Sequence, residues 1–432
     1  MTKQNYPRVL IISHNPFDLN LSIGKTFTSL FKGWPKDSIA QLYLHNQVPD
    51  SSVCSNFFHI TEEQLLFKKK EEVGVIVNAD TKEVSEGQDA AIRNYIKEME
   101  LFSLGRNILW SFRKWSNSNL YEWIEKFSPE VIFFAAGGSC FSYDIVNTIS
   151  KKYSLPVYLY YMDDFILPRK TMNFLWWINW LSLHQSLKEI LPRVEKVFTI
   201  GKDMSLEYQS RLEKECIEIM NSVDVEEFIK VSSEKSNSNR KTIRMAYFGG
   251  LHLNRWKTLS KLGETIKKMS VDGDLSISID IYTNQTPERK ILELINQPPY
   301  IQYMGSVSSD EIIIEMKKYD LLVHIESFEK KYTNKTKLSI STKIPEYLAT
   351  GRPILAVGPR DISSIKYIKE IGSNYVIDVM DSSLIASILG NIWEDRSNLN
   401  SIGEINIGIA KKNHSANKSR ENVRLVLNRR SC

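Results

Sequence analysis

Lys343 and Glu346 are the side chains whose type and spacing say most about chemistry. They stand three positions apart in Ser339-Ile-Ser-Thr-Lys-Ile-Pro-Glu-Tyr-Leu-Ala-Thr-Gly-Arg-Pro-Ile-Leu-Ala356. Residues three apart share one face of a helix. A cation and a carboxylate at the start of a short helix can hold an anionic, hydroxyl-bearing ligand. The lysine would neutralise a diphosphate, and the carboxylate would accept hydrogen bonds from ribose hydroxyls. The alternative is a local ion pair on a solvent-facing turn. The helix should stop at Gly351 and give way to a buried strand from Pro353.

A second constellation is Tyr247-Phe-Gly-Gly-Leu-His-Leu-Asn-Arg255. Gly249 and Gly250 allow backbone to approach a ligand closely. A helix beginning near Arg255 or Trp256 offers exposed amides to phosphate, and Arg255 can clamp two phosphate oxygens. A tight turn followed by a surface arginine is the competing reading. Asp163 and Asp164 close the apolar run ending at Tyr161. Neighbouring residues point differently, so at most one of them can serve as a general base; capping the next segment is the other role open to them. His14, in a Ser-His-Asn-Pro turn after the first apolar run, can bind a ligand, act as a base, or be structural.

These residues need a frame. Apolar runs at Arg8–Ser13, Ile39–Leu44, Pro129–Ala135, Leu155–Tyr161 and Val197–Ile200 alternate with helical stretches. A second series follows at Ile243–Phe248, Leu275–Tyr282, Ile301–Met304, Leu321–Ile325, Pro353–Val357 and Tyr375–Asp378. Near-continuous apolar strands between helices indicate parallel sheets covered on both faces. The expected fold is therefore α/β, with two doubly wound Rossmann-like domains facing across a cleft. The expected divisions are 1–195 and 196–385 for the two Rossmann-like domains, and 386–432 for a helical tail packing back on the first.

At 432 residues the chain is too long for one ordinary core. A net charge of +5, with Lys68-Lys69-Lys70 followed at once by Glu71-Glu72, gives no nucleic-acid-binding module. Four cysteines, at 54, 140, 216 and 432, share no metal-ligand spacing and fit a reducing compartment. No signal-like segment precedes Val9 and no run of eighteen apolar residues occurs, so the cytoplasm is the expected location. Two aromatic, partly basic stretches, Leu101–Trp115 and Phe174–Leu183, fit either an interfacial helix on the inner membrane leaflet or ordinary packing on the first sheet.

The chain resembles glycosyltransferases of the GT-B fold, near the large retaining group that builds bacterial polysaccharides. The resemblance rests on Tyr247-Phe-Gly-Gly-Leu with Arg255, on Tyr303-Met-Gly-Ser-Val with Tyr319-Asp-Leu-Leu, and on Ser341-Thr-Lys-Ile-Pro-Glu-Tyr-Leu-Ala-Thr-Gly-Arg-Pro-Ile-Leu. Val197-Phe-Thr-Ile-Gly-Lys-Asp-Met204 resembles the strand and turn where such enzymes cross to the donor domain. The resemblance implies a nucleotide-diphosphate sugar as donor substrate, bound by the domain at 196–385 with 1–195 as the acceptor-binding domain, no further cofactor and no metal. It places Arg255 against the diphosphate, Glu346 on the ribose, Gly305 and Val307 around the nucleobase, and Gly24 in a loop facing phosphate and acceptor. The family pattern has another glutamate eight residues before the ribose carboxylate; here that position is Leu338. Glu326 or Glu329 is then the acid expected to reach the sugar. A saccharide or lipid-linked saccharide is the implied acceptor. Two alternatives are a nucleotide-sugar epimerase of the same fold and a non-catalytic sugar-nucleotide-binding protein.

Overall fold

The structure is a computed structural model and describes residues 6–19, 22–77, 100–232, 242–272 and 276–428. The chain forms two compact units: Met1–Ile219 together with Ser419–Cys432, and Met220–Lys418.

The first unit is built on an eight-stranded sheet. Its strands are β1 (Val9–Ser13), β2 (Ile39–Tyr43), β3 (Phe57–His59), β4 (Val75–Val77), β5 (Val131–Ala135), β6 (Val157–Tyr161), β7 (Val194–Thr199) and β8 (Cys216–Glu218). Their order is β4-β3-β2-β1-β5-β6-β7-β8. Only β4 runs antiparallel. β1, β2, β5 and β6 are buried along their whole length. Helices on both faces leave no solvent side to encode, so these strands read as unbroken apolar runs. The aromatic rings of Phe27, Phe31, Phe133, Tyr160 and Phe198 pack edge-to-face and tilted at the centre of one core layer.

The second unit carries β9 (Ile243–Phe248), β10 (Ile277–Tyr282), β11 (Ile301–Gly305), β12 (Leu321–Ile325), β13 (Ile354–Val357) and β14 (Tyr375–Ile377). The order is β11-β10-β9-β12-β13-β14, parallel throughout. One apolar layer holds Met245, Leu259, Ile281 and Leu355; the other holds Phe248, Leu322, Ile344 and Ala356. Alternate residues of one strand thus feed opposite faces of the sheet. Both units are doubly wound, as expected. In such sheets the strand order reverses at a switch point, here between β1 and β5 and between β9 and β12, and a crevice opens beyond the carboxyl ends there.

The division lies elsewhere than at 195/196. That cut would fall inside β7, which pairs with β6 on one side and β8 on the other. The first unit therefore runs on to Ile219. The tail is likewise not one piece. Helices Ser382–Glu394 and Leu399–Asn413 belong to the second unit, and the chain rejoins the first from Ser419, where Val423 and Leu427 enter its core. Gly24 also departs from expectation: it lies in the first turn of helix Ser22–Phe31 and not in a loop. A Cβ there would come within 2.6 Å of the Pro16 carbonyl and 2.5 Å of Asp18 Cβ, so the glycine lets the loop after β1 cross directly over the helix. Among the described residues, no helix is long and apolar enough to cross a membrane.

Candidate functional site

The switch point of the second unit gathers half of the residues singled out for chemistry. β9 ends at Phe248 and passes through Gly249 and Gly250 into helix Arg255–Asp272. Leu253 and Asn254, just before that helix, both take left-handed backbone angles, φ 59° and 57°. Two consecutive non-glycine residues in this region are costly and mark a loop held in place by its surroundings. The Leu251 N–H donates to Gln285 Oε1 at 2.6 Å and the Tyr247 hydroxyl to the Gly250 carbonyl at 2.7 Å. Asn254 Nδ2 donates to Glu329, 3.2 and 3.1 Å from its two oxygens.

This loop delivers Arg255 to the end of β12. Its Nη2 lies 3.0 Å from Glu326 Oε2, with the two side chains 16% and 4% exposed. Nη1 meets His252 Nε2 at 3.3 Å, and the buried Nε has no hydrogen-bond partner. Burial pushes the Glu326 carboxyl up, but the Arg255 guanidinium and neighbouring His324 outweigh it and hold the group below its ordinary value. Burial lowers Arg255 while Glu326 raises it, and the net direction is upward. His324 Nε2 stands 3.4 Å from Glu326 Oε1. The result is a cation–carboxylate pair at the mouth of the sheet, its carboxylate buried and its guanidinium partly exposed, a setting where its field is less screened than on an open surface.

Helix Lys343–Thr350 lies between β12 and β13 and is tied to the same place. The Phe248 N–H donates to the Tyr347 hydroxyl at 3.0 Å, and that hydroxyl donates to the Phe248 carbonyl at 3.2 Å. Burial drives the Tyr347 phenol well above its ordinary value; the charges of Glu346 and Arg255 also act on it. Both therefore lie in its electrostatic neighbourhood. Glu346, 10% exposed, accepts from Lys343 Nζ at 2.7 Å. The local ion pair is thus present, at a sheet edge and not on an open turn. Gly351 ends the helix at φ 72°, as its position suggested.

Gly305, at φ 83°, ends β11, and Val307 packs against the adjacent core layer. Both lie at the carboxyl edge, two strands from β9. Leu338 is buried, 6% exposed. Of the two acids expected to stand in for one at 338, Glu326 faces Arg255, whereas Glu329 is engaged by Lys257 at 2.5 Å and by Asn254. His324 was missed in sequence, although a lone histidine inside the buried run Leu321-Leu-Val-His-Ile325 is itself a signal, because burying a polar ring there has a cost.

His14 and Asp163 line one pocket of the first unit. A pocket of about 240 Å³ beyond the ends of β1, β5 and β6 is lined by His14, His45, Arg106, Gly137, Met162 and Asp163, among others. Asp164 is turned inward. Its Oδ1 accepts the N–H groups of Ile166 and Leu167 at 3.0 and 3.1 Å and the Tyr208 hydroxyl at 2.8 Å. Arg106 and His45 were not among the residues expected here. Arg106 enters only because helix Glu100–Ser111 packs beside helix Glu62–Phe67, a placement local sequence does not encode.

No protein-family model matches the chain, and no curated protein sequence matches it. Solved structures do. HepE of Anabaena in complex with UDP is 11% identical, covers 97% of this chain and 99% of its own, and superposes with a TM-score of 0.63. A glycosyltransferase from Rickettsia africae is 13% identical over 98% of both chains, with a TM-score of 0.60. Sucrose-phosphate synthase from Thermosynechococcus elongatus is 8% identical over 97% of this chain and 98% of its own, also at 0.60. At such low identity the likeness establishes the fold: the chain has the GT-B architecture of these proteins over essentially its whole length.

Proposed function

We propose that the chain is a glycosyltransferase moving a hexosyl group from a nucleotide-diphosphate sugar to a saccharide or lipid-linked saccharide. The proposed setting is bacterial surface-polysaccharide synthesis at the cytoplasmic face of the membrane. The observation that carries the reading is the buried Arg255–Glu326 pair at the β9/β12 switch point, beside a helix bearing Lys343 and Glu346. Such crevices are where open α/β sheets bind ligands.

In this reading Glu346 accepts from the ribose hydroxyls, while Gly305 and Val307 border the base. Gly249 and Gly250 bring the loop backbone close to the phosphates. Arg255 and Lys343 meet the charge that develops on the leaving diphosphate, so the step needs no metal. Glu326 orients Arg255, and its remaining oxygen is the acid nearest to the work expected of a glutamate at 338. The acceptor is placed at the pocket holding His14 and Asp163. Retention of the anomeric configuration is the outcome the family resemblance implies; for inversion, Asp163 is the carboxylate positioned to act as base.

Because a structurally similar protein is seen with UDP and UDP-glucose, uridine donors head the panel to be tried. Purified protein should release nucleoside diphosphate from one donor only when acceptor is present, unaffected by EDTA, and anomeric NMR of the product reads the stereochemistry. Isomerised sugar would establish an epimerase instead, and tight binding with no turnover on any acceptor would establish a binding protein.

A further inference from the structure

Glu326 is held from several sides. Its N–H donates to the Val357 carbonyl at 2.8 Å, and its own carbonyl accepts from Thr258 Oγ1 at 3.1 Å. A Cβ at Gly358 would come within 2.7 Å of Glu326 Cβ, so the glycine after β13 is what leaves room for this side chain. The carboxylate, with 4% of its side chain exposed, therefore stays buried whether or not Arg255 remains beside it. Arg255 is held less completely. Its guanidinium is 16% exposed, and its buried Nε makes no hydrogen bond. A diphosphate arriving at the glycine loop competes with Glu326 for that cation.

Among the described residues, the ion-pair partners of Glu326 are Arg255 and His324. His324 stands two positions earlier along the same chain direction, so both side chains leave the same face of the sheet. Arg255 meets Oε2, whereas His324 Nε2 stands 3.4 Å from Oε1, buried and without a hydrogen bond. A bare lone pair turned toward a carboxylate is repelled, so Nε2 carries the hydrogen and a further proton enters at Nδ1. The other groups around this strand end leave that balance to Glu326. β13 sets Ala356 opposite His324. β9 brings Tyr247, whose phenol burial pushes up to about 12, so it stays neutral. Helix Lys343–Thr350 brings Lys343 and Glu346 as a mutual pair, and His252 stands against Arg255.

We propose that His324 is a positioning residue of the donor site: as a nucleotide-sugar diphosphate draws Arg255 onto its oxygens, His324 takes one proton from solvent at Nδ1 and closes Nε2–H onto Glu326. This rests on the glycosyltransferase reading and adds a proton that enters with the donor and leaves when the site empties. Glu326 cannot follow Arg255 toward the ligand, so its charge needs a second partner. Imidazole is the side chain that gains a charge near neutral pH. The negative charge of the diphosphate acts in the same direction, because it favours the protonated ring. Glu326 then keeps its place, and Arg255 returns to it after release.

The test is calorimetry on the full chain with UDP-glucose in PIPES, HEPES and Tris at one pH near neutrality. Neither phosphate of UDP-glucose nor its uracil titrates there, so any proton exchanged belongs to the protein. The observed enthalpy should rise with the ionisation enthalpy of the buffer, with a slope that reads uptake approaching one proton per site. Affinity should rise about three- to tenfold for each unit that pH falls between about 8 and about 6.5. His324→Gln keeps an N–H toward Glu326 but cannot be charged, and should flatten both the slope and the pH profile; His324→Asn covers the case in which it does not fold. A histidine that only fills space would lower affinity equally at every pH. A wild-type enthalpy indifferent to buffer, or uptake unchanged in His324→Gln, would overturn the proposal. A second arm needs no nucleotide. In Arg255→Met, nitrogen NMR of histidine-labelled protein near neutral pH should show the His324 ring as imidazolium, its signal assigned by its loss in His324→Gln. A neutral ring there would also overturn the proposal. An imidazolium in that variant with no binding of any donor in the panel would instead refute the glycosyltransferase reading and leave the His324–Glu326 couple standing.

Discussion

Removing Arg255 separates a ligand-binding cation from a structural one. Glu326 is 4% exposed and stands 3.0 Å from the Arg255 guanidinium, so Arg255→Met strands a buried carboxylate. Breaking a buried pair from one side costs about 3–5 kcal/mol, a large share of a total stability of about 5–15 kcal/mol. Glu326→Gln in the same chain removes the stranded charge. The double variant should recover most of the loss, giving a coupling energy of about 2–4 kcal/mol in a urea-denaturation cycle. The sign with pH is set by the lowered Glu326 pKa. A depressed carboxyl stabilises the fold above its unfolded pKa, and that contribution is lost as pH falls through the folded value. At pH 7 the cycle therefore reads the full effect. UDP affinity, measured on the same four proteins, should fall with Arg255→Met and stay low in the double variant, because phosphate loses its cation in both. A coupling below about 1 kcal/mol would class the pair with surface ion pairs and refute the burial argument. Recovery of nucleotide affinity in the double variant would make Arg255 a scaffold residue and remove it from the site.

Glu346→Ala should raise Kd for UDP by about 10- to 100-fold, the worth of hydrogen bonds to a charged group. It should also abolish discrimination against 2′,3′-dideoxyuridine diphosphate, which calorimetry reads directly. Asp164→Ala should destabilise the protein by about 2–3 kcal/mol in chemical denaturation, since two buried N–H groups and the Tyr208 hydroxyl lose their acceptor. Asp163→Ala should instead leave stability nearly unchanged and lower transfer to the acceptor. His414 is buried, donates Nδ1–H to the Asn221 carbonyl at 2.8 Å, and is lowered by burial from 6.5 to about 4. The unfolded chain binds that proton first, so stability should fall by about 2 kcal/mol between pH 6.5 and pH 5. His414→Gln should flatten that slope in thermal melts.

Sequence by itself determined the central strands. Ile243–Phe248 and Leu321–Ile325 were legible to the residue, because strands covered on both faces read as near-continuous apolar runs, interrupted here only by Arg244 and His324. It also located the helix carrying Lys343 and Glu346 and its glycine stop, since both depend on neighbours within a few residues. β3, β4 and β8 were not among the expected strands; each is three residues long, as is β14, which the run Tyr375–Asp378 did mark. Where the first unit ends was settled by strand pairing, because only lateral hydrogen bonds assign β7 to one sheet or another. The adjacency of Asp163 and Asp164 shows that they point apart, but only Tyr208 and the turn after β6 decide which faces inward. Likewise, nothing local joins Arg255 to Glu326. Reversal of strand order between β9 and β12 brings together groups 71 positions apart, and burial then makes their charges matter to each other.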